Sequence, residues 1–158
     1  MVYYERKEIY TTEYRQSCAE LANYRKTFTE AVGNAARKDW KKRHICLPSL
    51  VIALAAEETD WGEAPEFLLR GELFPYRRDK SRERYQSVID AICSHNTYLL
   101  TWMEDGQKRP NWERLTGQEN YILAVQYLQD AEYPYHPFEN YAGKLVEIIE
   151  TYHLQKYD

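Results

Sequence analysis

The stretch that most constrains the fold is the apolar run at residues 45–62, ICLPSLVIALAAEETDWG. Pro48 suits the first position of a helix, and Gly62 suits the stop that follows one. The residues between them are apolar on nearly every side until two adjacent carboxylates, Glu57 and Glu58. A helix that is apolar all round has to be buried on most of its surface. The remaining elements are therefore expected to pack around this helix.

The two carboxylates at the end of this helix are not equivalent. At about 100° per residue, Glu58 falls between Val51 and Leu54 on the helix surface, and Glu57 points about 100° away. An apolar face and the negative end of the helix dipole both disfavour a carboxylate, so we expect the pKa of Glu58 to be raised. Such a group suits a general acid working near neutral pH. A solvated helix end is the structural alternative.

The rest of the chain shows helical rather than strand periodicity. The length of 158 residues fits one domain with a substantial core. Residues 63–84 contain two Pro, one Gly and a charge cluster, and are expected to form a loop with at most a short extended pair. Helices are predicted at residues 3–24, from Phe28 to the basic segment KDWKKRH, and at 48–60, 85–104, 118–130 and 139–152. The predicted fold class is mainly α.

Charge and composition narrow the range of functions that the protein can have. The net charge of −4 argues against a nucleic-acid protein that relies on a strong positive field. The four His lack ligand spacing, so no metal site is predicted, and no cofactor is expected. Fifteen Tyr and four Trp suit a sugar-binding cleft as well as an ordinary core, since both rings combine an apolar face with a polar edge. Free thiols are predicted for the three widely spaced cysteines, Cys18, Cys46 and Cys93.

The segment LPSLVIALAAEETDWG resembles the signature of glycoside hydrolase family 73, the bacterial glucosaminidases that cut the glycan strands of peptidoglycan. The family motif reads roughly I-L-P-S-x-x-I-A-Q-A-x-L-E-S-x-W-G. Its catalytic Glu stands three residues before the Trp, which selects Glu58 rather than Glu57, and Thr59 replaces the family Ser. The positions that match in register are Leu47, Pro48, Ser49, Ile52, Ala53, Ala55, Glu58, Trp61 and Gly62.

Other segments extend the resemblance along the chain. FTEAVGNAARKDWKKRH is similar to the preceding family helix, and RYQSVIDAICSHNTYL is similar to the segment after the family's small β-lobe. The closing stretch, ENYILAVQYLQDAEYPYHPFENYAGKLVEIIETYHLQKYD, resembles the family's closing motif. The resemblance implies a catalytic domain at residues 27–158, preceded by an N-terminal helical extension at residues 1–26.

The resemblance is weakest after the acid helix. The family has N-N-L-F-G-I-K there, whereas this chain has RGELFPYRR, in which Leu73 and Phe74 remain. The family's β-hairpin, which carries a second catalytic Glu, is cut to about PYRRDKSRER. Glu83 is the nearest carboxylate for that role and Glu72 the next, with a surface charge as the alternative for Glu83. The expected fold is a lysozyme-like helical domain with a reduced or absent β-hairpin lobe.

Four aromatic residues complete the candidate site. Tyr141 aligns with the Tyr that the family places near its acid, so it is a candidate catalytic residue. Tyr133 matches the Tyr of the family's G-Y-A segment and is a candidate substrate contact, as are Trp61 and Phe74. Trp and Tyr rings provide platforms for sugars. Packing in the core or at its rim is the structural alternative for each ring.

The resemblance implies a peptidoglycan hydrolase of endo-β-N-acetylglucosaminidase type, with the glycan strand as partner and Glu58 as general acid. If Glu83 is no partner, three routes remain: the substrate's N-acetyl group could assist, the 6-hydroxyl of a muramic acid could attack, or Glu58 could act with Tyr141. Attack by the 6-hydroxyl would make the protein a lytic transglycosylase. The loss of most of the hairpin also fits a non-catalytic wall-binding or interaction module. The sequence leaves these alternatives open.

The expected location follows from what the sequence lacks. MVYYERKEIYTTEY has no apolar segment typical of a signal peptide. The longest apolar run is shorter than the roughly 20 residues that cross a bilayer, so no membrane insertion is expected. We expect a monomer that is made in the cytoplasm and delivered to the cell wall by a phage, a mobile element or a specialised secretion system.

Overall fold

The computed structural model describes residues 2–76, 84–104, 112–133 and 140–158, without the side chains of residues 2–15, 18, 101–104 and 112. Within these ranges the chain forms helices and no strand, which confirms the prediction of a mainly α fold. The α-helices are α1 (Val2–Arg43), α2 (Pro48–Thr59), α3 (Pro65–Arg70), α4 (Val88–Glu104), α5 (Tyr121–Asp130) and α6 (Tyr141–Thr151). Short 3-10 helices lie at Trp112–Arg114 and Leu154–Tyr157.

Helix α2 lies at the centre of the fold. Every one of its residues except Glu57 is buried, as its all-round apolar sequence predicts. Helices α1, α5 and α6 and the 3-10 helix at Leu154–Tyr157 pack against it. Helix α4 packs against α1. The acid-bearing helix is thus held by neighbours from both ends of the sequence.

The C-terminal end of α2 is a left-handed turn. Asp60, Trp61 and Gly62 all have positive φ, at 48°, 56° and 83°. The Thr59 hydroxyl stabilises the turn, because it donates to the carbonyl of Ala55 at 2.7 Å and accepts the Gly62 N–H at 2.9 Å. Gly adopts such angles without strain, which fits Gly62, the predicted stop, as the third residue of the turn. The turn buries Trp61 against the end of the helix.

Helix α1 is one continuous helix of 42 residues, where the sequence suggested two segments. The three residues at the expected break, Arg25, Lys26 and Thr27, include neither Pro nor Gly, so nothing interrupts the backbone there. The predicted division between residues 1–26 and 27–158 falls inside this helix. The inward-facing residues of its second half are Phe28, Val32, Ala35, Ala36 and Asp39.

The prediction of a loop throughout residues 63–84 was wrong for Pro65–Arg70, which form α3. Pro65 occupies the start of the helix, and Gly71 ends it in the left-handed conformation with φ of 68°. Both residues interrupt regular structure when they lie inside an element, but here they mark its two ends. Phe67 holds α3 to the domain through an edge-on contact with Phe28, with ring centroids 5.6 Å apart.

Candidate active site

Glu58 lies in the last turn of α2 and is 4% exposed, whereas Glu57 is partly exposed. The backbone N–H of Tyr76 donates to Glu58 Oε1 at 2.9 Å. The left-handed turn and α3 reverse the chain and bring Tyr76 back to the helix end. Because Oε1 accepts this bond, the proton of the neutral acid belongs on Oε2. The carboxyl group is therefore both buried and oriented.

Three phenols lie within electrostatic reach of this carboxyl group. Burial raises the pKa values of Tyr76, Tyr133 and Tyr141, and the nearby charge of Glu58 raises each of them further. Glu57 also acts on Tyr76 and Tyr141. These phenols stay neutral at ordinary pH, so they can donate or accept hydrogen bonds without adding a charge. The two tyrosines that the sequence singled out, Tyr133 and Tyr141, thus lie within electrostatic reach of Glu58.

A buried imidazole lies behind Tyr133. His95 is 0% exposed, and its Nε2 is 2.5 Å from the Tyr133 hydroxyl oxygen. The Phe74 ring stacks on His95 at a centroid distance of 3.7 Å and an interplanar angle of 17°. Phe74, which the sequence suggested as a substrate contact, is 2% exposed and reaches the site through His95.

The polar contacts continue from His95 to α1. His95 Nδ1 is 3.3 Å from Asn96 Oδ1, and Asn96 Nδ2 donates to Asp39 Oδ2 at 2.8 Å. Arg43 Nε donates to Asp39 Oδ1 at 2.7 Å, and the Cys93 thiol lies 3.6 Å from the same oxygen. Asp39 and Asn96 are buried, which is tolerated because both are hydrogen-bonded. We call Asp39, Asn96, His95 and Tyr133 the polar row.

Trp61 faces a different side of the helix end. It is 7% exposed and packs on Tyr152 with ring centroids 4.5 Å apart, while Arg25 lies 5.9 Å from its ring. Trp61 and Tyr152 line two cavities, of about 420 and 460 Å³. Glu57 lines the second cavity together with Lys144, so Glu57 belongs to the Trp61 side and Glu58 to the tyrosine side.

The predicted partner carboxylates are not assembled around Glu58 in the residues that the structure covers. Glu83 lies outside the described residues. Glu72 is bonded to Arg70, with 3.3 Å between Arg70 Nη2 and Glu72 Oε2. The segments that follow Tyr76 and Tyr133, residues 77–83 and 134–139, are also outside the described ranges.

Sequence reasoning missed Tyr76, His95, Asn96 and Asp39. Two of them carried a readable signal, since His95 and Asn96 fall on the same face of α4 as Ile92 and Leu99, and polar residues on a buried face need partners. The bond from Tyr76 to Glu58 could not be predicted from the sequence, because its donor is a backbone N–H group that every residue except Pro carries.

The described residues hold no group of three or more His, Cys, Asp or Glu side chains that could bind a metal ion. Cys46 and Cys93 are free cysteines, and burial raises the pKa of both thiols. Among the described helices, none is both long enough and apolar enough to cross a membrane.

The fold is similar to two solved structures. One is the catalytic domain of the autolysin Auto from Listeria monocytogenes, with a TM-score of 0.65 and 21% identity over 92% of this chain and 97% of that one. The other is a peptidoglycan hydrolase mutant from Sphingomonas sp. A1, with a TM-score of 0.61 and 17% identity over 83% of this chain and 96% of that one. No protein-family model and no curated protein matches the sequence. The chain has the helical fold of these enzymes, which confirms the predicted lysozyme-like domain.

Proposed function

We propose that this protein is a peptidoglycan hydrolase that cleaves β-1,4 glycosidic bonds of the glycan strand, as an endo-β-N-acetylglucosaminidase. The observation that carries the proposal is the buried, oriented Glu58 carboxyl group among three neutral phenols. The fold likeness adds support, because one of the two similar structures is the catalytic domain of an autolysin and the other is a peptidoglycan hydrolase.

In this mechanism Glu58 gives the proton on Oε2 to the glycosidic oxygen as the C1–O bond breaks. Oε1, held by the Tyr76 N–H, fixes the plane of the carboxyl group during the transfer. Positive charge develops at C1 and the ring oxygen in such reactions. Water then adds to C1, and a base takes its proton. Glu83 is the candidate base, and Tyr141 is the candidate group that supports the acid.

The second candidate function is lytic transglycosylation on the same scaffold. In that reaction the 6-hydroxyl of a muramic acid adds to C1 in place of water, so no second carboxylate is needed to activate water. The observation that favours it is that Glu58 and Glu57 occupy different sides of the helix end, so Glu57 is poorly placed as a partner. A non-catalytic wall-binding module is the third alternative.

Digestion of purified cell walls tests the proposal. Wild type should release reducing ends, and Glu58→Gln should lose at least about a hundredfold in rate, because general acid catalysis contributes roughly that much. Glu57→Gln is the matched control and should stay within a few fold of wild type. Equal release by wild type and Glu58→Gln would overturn the proposal.

The products separate the alternatives. Mass spectrometry distinguishes hydrolysis from transglycosylation, since a 1,6-anhydro end lacks one water. A glucosaminidase leaves N-acetylglucosamine at the new reducing end. Glycan binding without any product would support the non-catalytic module. Glu83→Gln then tests the candidate base, with Glu72→Gln as its control.

A further inference from the structure

We propose that His95 is a positioning residue for the candidate active site: it accepts the hydroxyl proton of Tyr133 and so fixes the direction of that hydroxyl near Glu58. The hydrogen-bond geometry of this proposal is independent of the activity. Its kinetic consequence rests on the proposed function, with Glu58 as the acid.

The direction of the bonds follows from Asp39, at one end of the polar row. Its carboxylate accepts from Arg43 at 2.7 Å, and it accepts from Asn96 Nδ2 at 2.8 Å. A carboxylate paired with a guanidinium offers only acceptors, so the amide nitrogen of Asn96 has to face Asp39. The amide oxygen of Asn96 therefore faces the other way, toward His95.

The tautomer of His95 follows in turn. Its Nδ1 lies 3.3 Å from Asn96 Oδ1, an atom that only accepts, so Nδ1 carries the proton. In a neutral imidazole Nε2 is then the acceptor, and the Tyr133 hydroxyl at 2.5 Å donates to it. An imidazolium at this fully buried position would carry the cost of a desolvated charge. Stacking on Phe74 keeps the ring in the required plane.

The Tyr133 hydroxyl thereby has a fixed direction at the acid site. A phenol has one proton, and His95 receives it, so any further partner of this oxygen has to be a donor. Held toward His95, the O–H group of Tyr133 cannot turn toward a Glu58 carboxylate and stabilise its charge. The polar row thus favours the protonated form of Glu58, which is the form that general acid catalysis needs.

Other titratable groups face the same region. Asp39 and Arg43 of α1 and Cys93 of α4 lie near His95. Tyr98 and Cys46 act on the Tyr133 phenol, as does Tyr141. Tyr76 and Tyr141 lie within electrostatic reach of Glu58, and Glu57 also acts on both phenols. Raised pKa values keep the two thiols and the Tyr76, Tyr133 and Tyr141 phenols neutral at ordinary pH.

Nitrogen NMR of the imidazoles tests the geometry without any need for turnover. Wild type labelled with 15N-histidine is compared with His95→Gln, which identifies the His95 signals by their loss. His95 should show the Nδ1–H tautomer and should not titrate between about pH 5 and 8. A signal for the Nε2–H tautomer, or for an imidazolium near neutral pH, would overturn the proposal.

The pH profile of wall digestion tests the kinetic consequence. In His95→Leu the Tyr133 hydroxyl loses its acceptor, so its O–H dipole can turn toward the Glu58 carboxylate and stabilise the charged form. The alkaline limb of kcat/KM should then move to lower pH by about one unit. His95→Gln offers an amide oxygen to Tyr133 and should keep the wild-type limb. A merely structural role would instead scale the rate equally at every pH.

Tyr133→Phe supplies the matched background. His95→Leu should produce no further shift of the limb in that background, because the hydroxyl through which His95 acts is gone. A shift of equal size in both backgrounds, or an equal shift with His95→Gln and His95→Leu, would overturn the positioning role. If wild type releases no product at all, the proposed function fails, and the NMR result still decides whether His95 orients Tyr133.

Discussion

Asp158 accepts two hydrogen bonds from Ser49, one from its backbone N–H and one from its hydroxyl, each at 2.7 Å. The two residues lie 109 positions apart in the sequence. Ser49 belongs to the first turn of α2, where Leu47 provides no side-chain cap and Pro48 has no N–H. Asp158 therefore caps the N-terminus of the helix that carries Glu58.

Removal of this cap should destabilise the protein. Asp158→Ala should lower the free energy of unfolding by about 1–2 kcal/mol, as the loss of other helix caps does. Urea denaturation followed by circular dichroism measures the change. Asp158→Asn keeps one acceptor oxygen and should lose less. Equal stability of wild type and Asp158→Ala would contradict the capping role.

Any side chain at Gly62, in the turn after the acid helix, should lower the stability of the protein. A Cβ there would lie 2.5 Å from a ring carbon of Phe28, and φ is 83°. Gly117 is a matched control, since its φ is 75° but nothing lies within 4 Å of an added Cβ. Gly117→Ala should cost about 1–2 kcal/mol for the backbone angle alone. Gly62→Ala should cost a further 1–3 kcal/mol, roughly the penalty of overpacking.

Thermal and urea denaturation of the two glycine variants compare them directly. The difference between them isolates the contact with Phe28, since both carry the same backbone penalty. Costs that are equal within error would show that Phe28 moves aside without loss.

The cysteines should differ in reactivity. Cys46 is 0% exposed, and burial raises its thiol pKa, so native protein should leave it unmodified by a thiol reagent. Cys93 is partly exposed, and burial with the nearby Asp39 carboxylate raises its thiol pKa, so it should react slowly. In a Cys18→Ser background one thiol should react in native protein and a second only after denaturation. Reaction of two thiols in the native protein, or of none, would contradict the prediction.

Alkaline pH should destabilise the fold through its buried phenols. Unfolded tyrosine has a pKa of about 10, whereas burial raises the pKa values of Tyr133 and Tyr141 in the folded protein. Above about pH 10 the unfolded chain binds fewer protons than the folded one, so the free energy of unfolding falls as pH rises. Each phenol should contribute up to about 1.4 kcal/mol per pH unit.

Urea denaturation at several pH values above about 9 measures this slope. Tyr141→Phe should reduce the slope, whatever it does to stability at neutral pH, because the variant has one titrating phenol fewer. An exposed position supplies the control: Tyr152→Phe should leave the slope close to that of wild type, since Tyr152 is 45% exposed. If the free energy of unfolding fell equally steeply with pH in all three proteins, Tyr141 would not contribute to the alkaline loss of stability.

Local patterns were sufficient to predict much of the fold. The helix predicted at residues 48–60 is Pro48–Thr59, because Pro, the apolar run and the following Gly are all local signals. The helices predicted at 85–104, 118–130 and 139–152 are Val88–Glu104, Tyr121–Asp130 and Tyr141–Thr151. Periodicity also separated buried Glu58 from more exposed Glu57.

The contacts that orient the site could not be predicted in this way. Asn96 and Asp39 are 57 positions apart, and His95 and Tyr133 are 38 apart, so their pairing depends on the packing of α1, α4 and the end of α5. Periodicity places a residue on a face but does not name its partner. The aromatic candidates show the same limit, since Phe74 and Trp61 are both buried but on different sides of the site.

The polar row also bears on how the protein folds. Helices form in microseconds from local contacts, whereas contacts between distant positions require loop closure first. Asp39, Asn96, His95 and Tyr133 can meet only after α1, α4 and α5 have docked. Most of the helical signal should therefore return early in refolding, before the surroundings of Glu58 are complete. A chain can be largely helical and compact while its candidate acid still lacks the environment that makes it an acid.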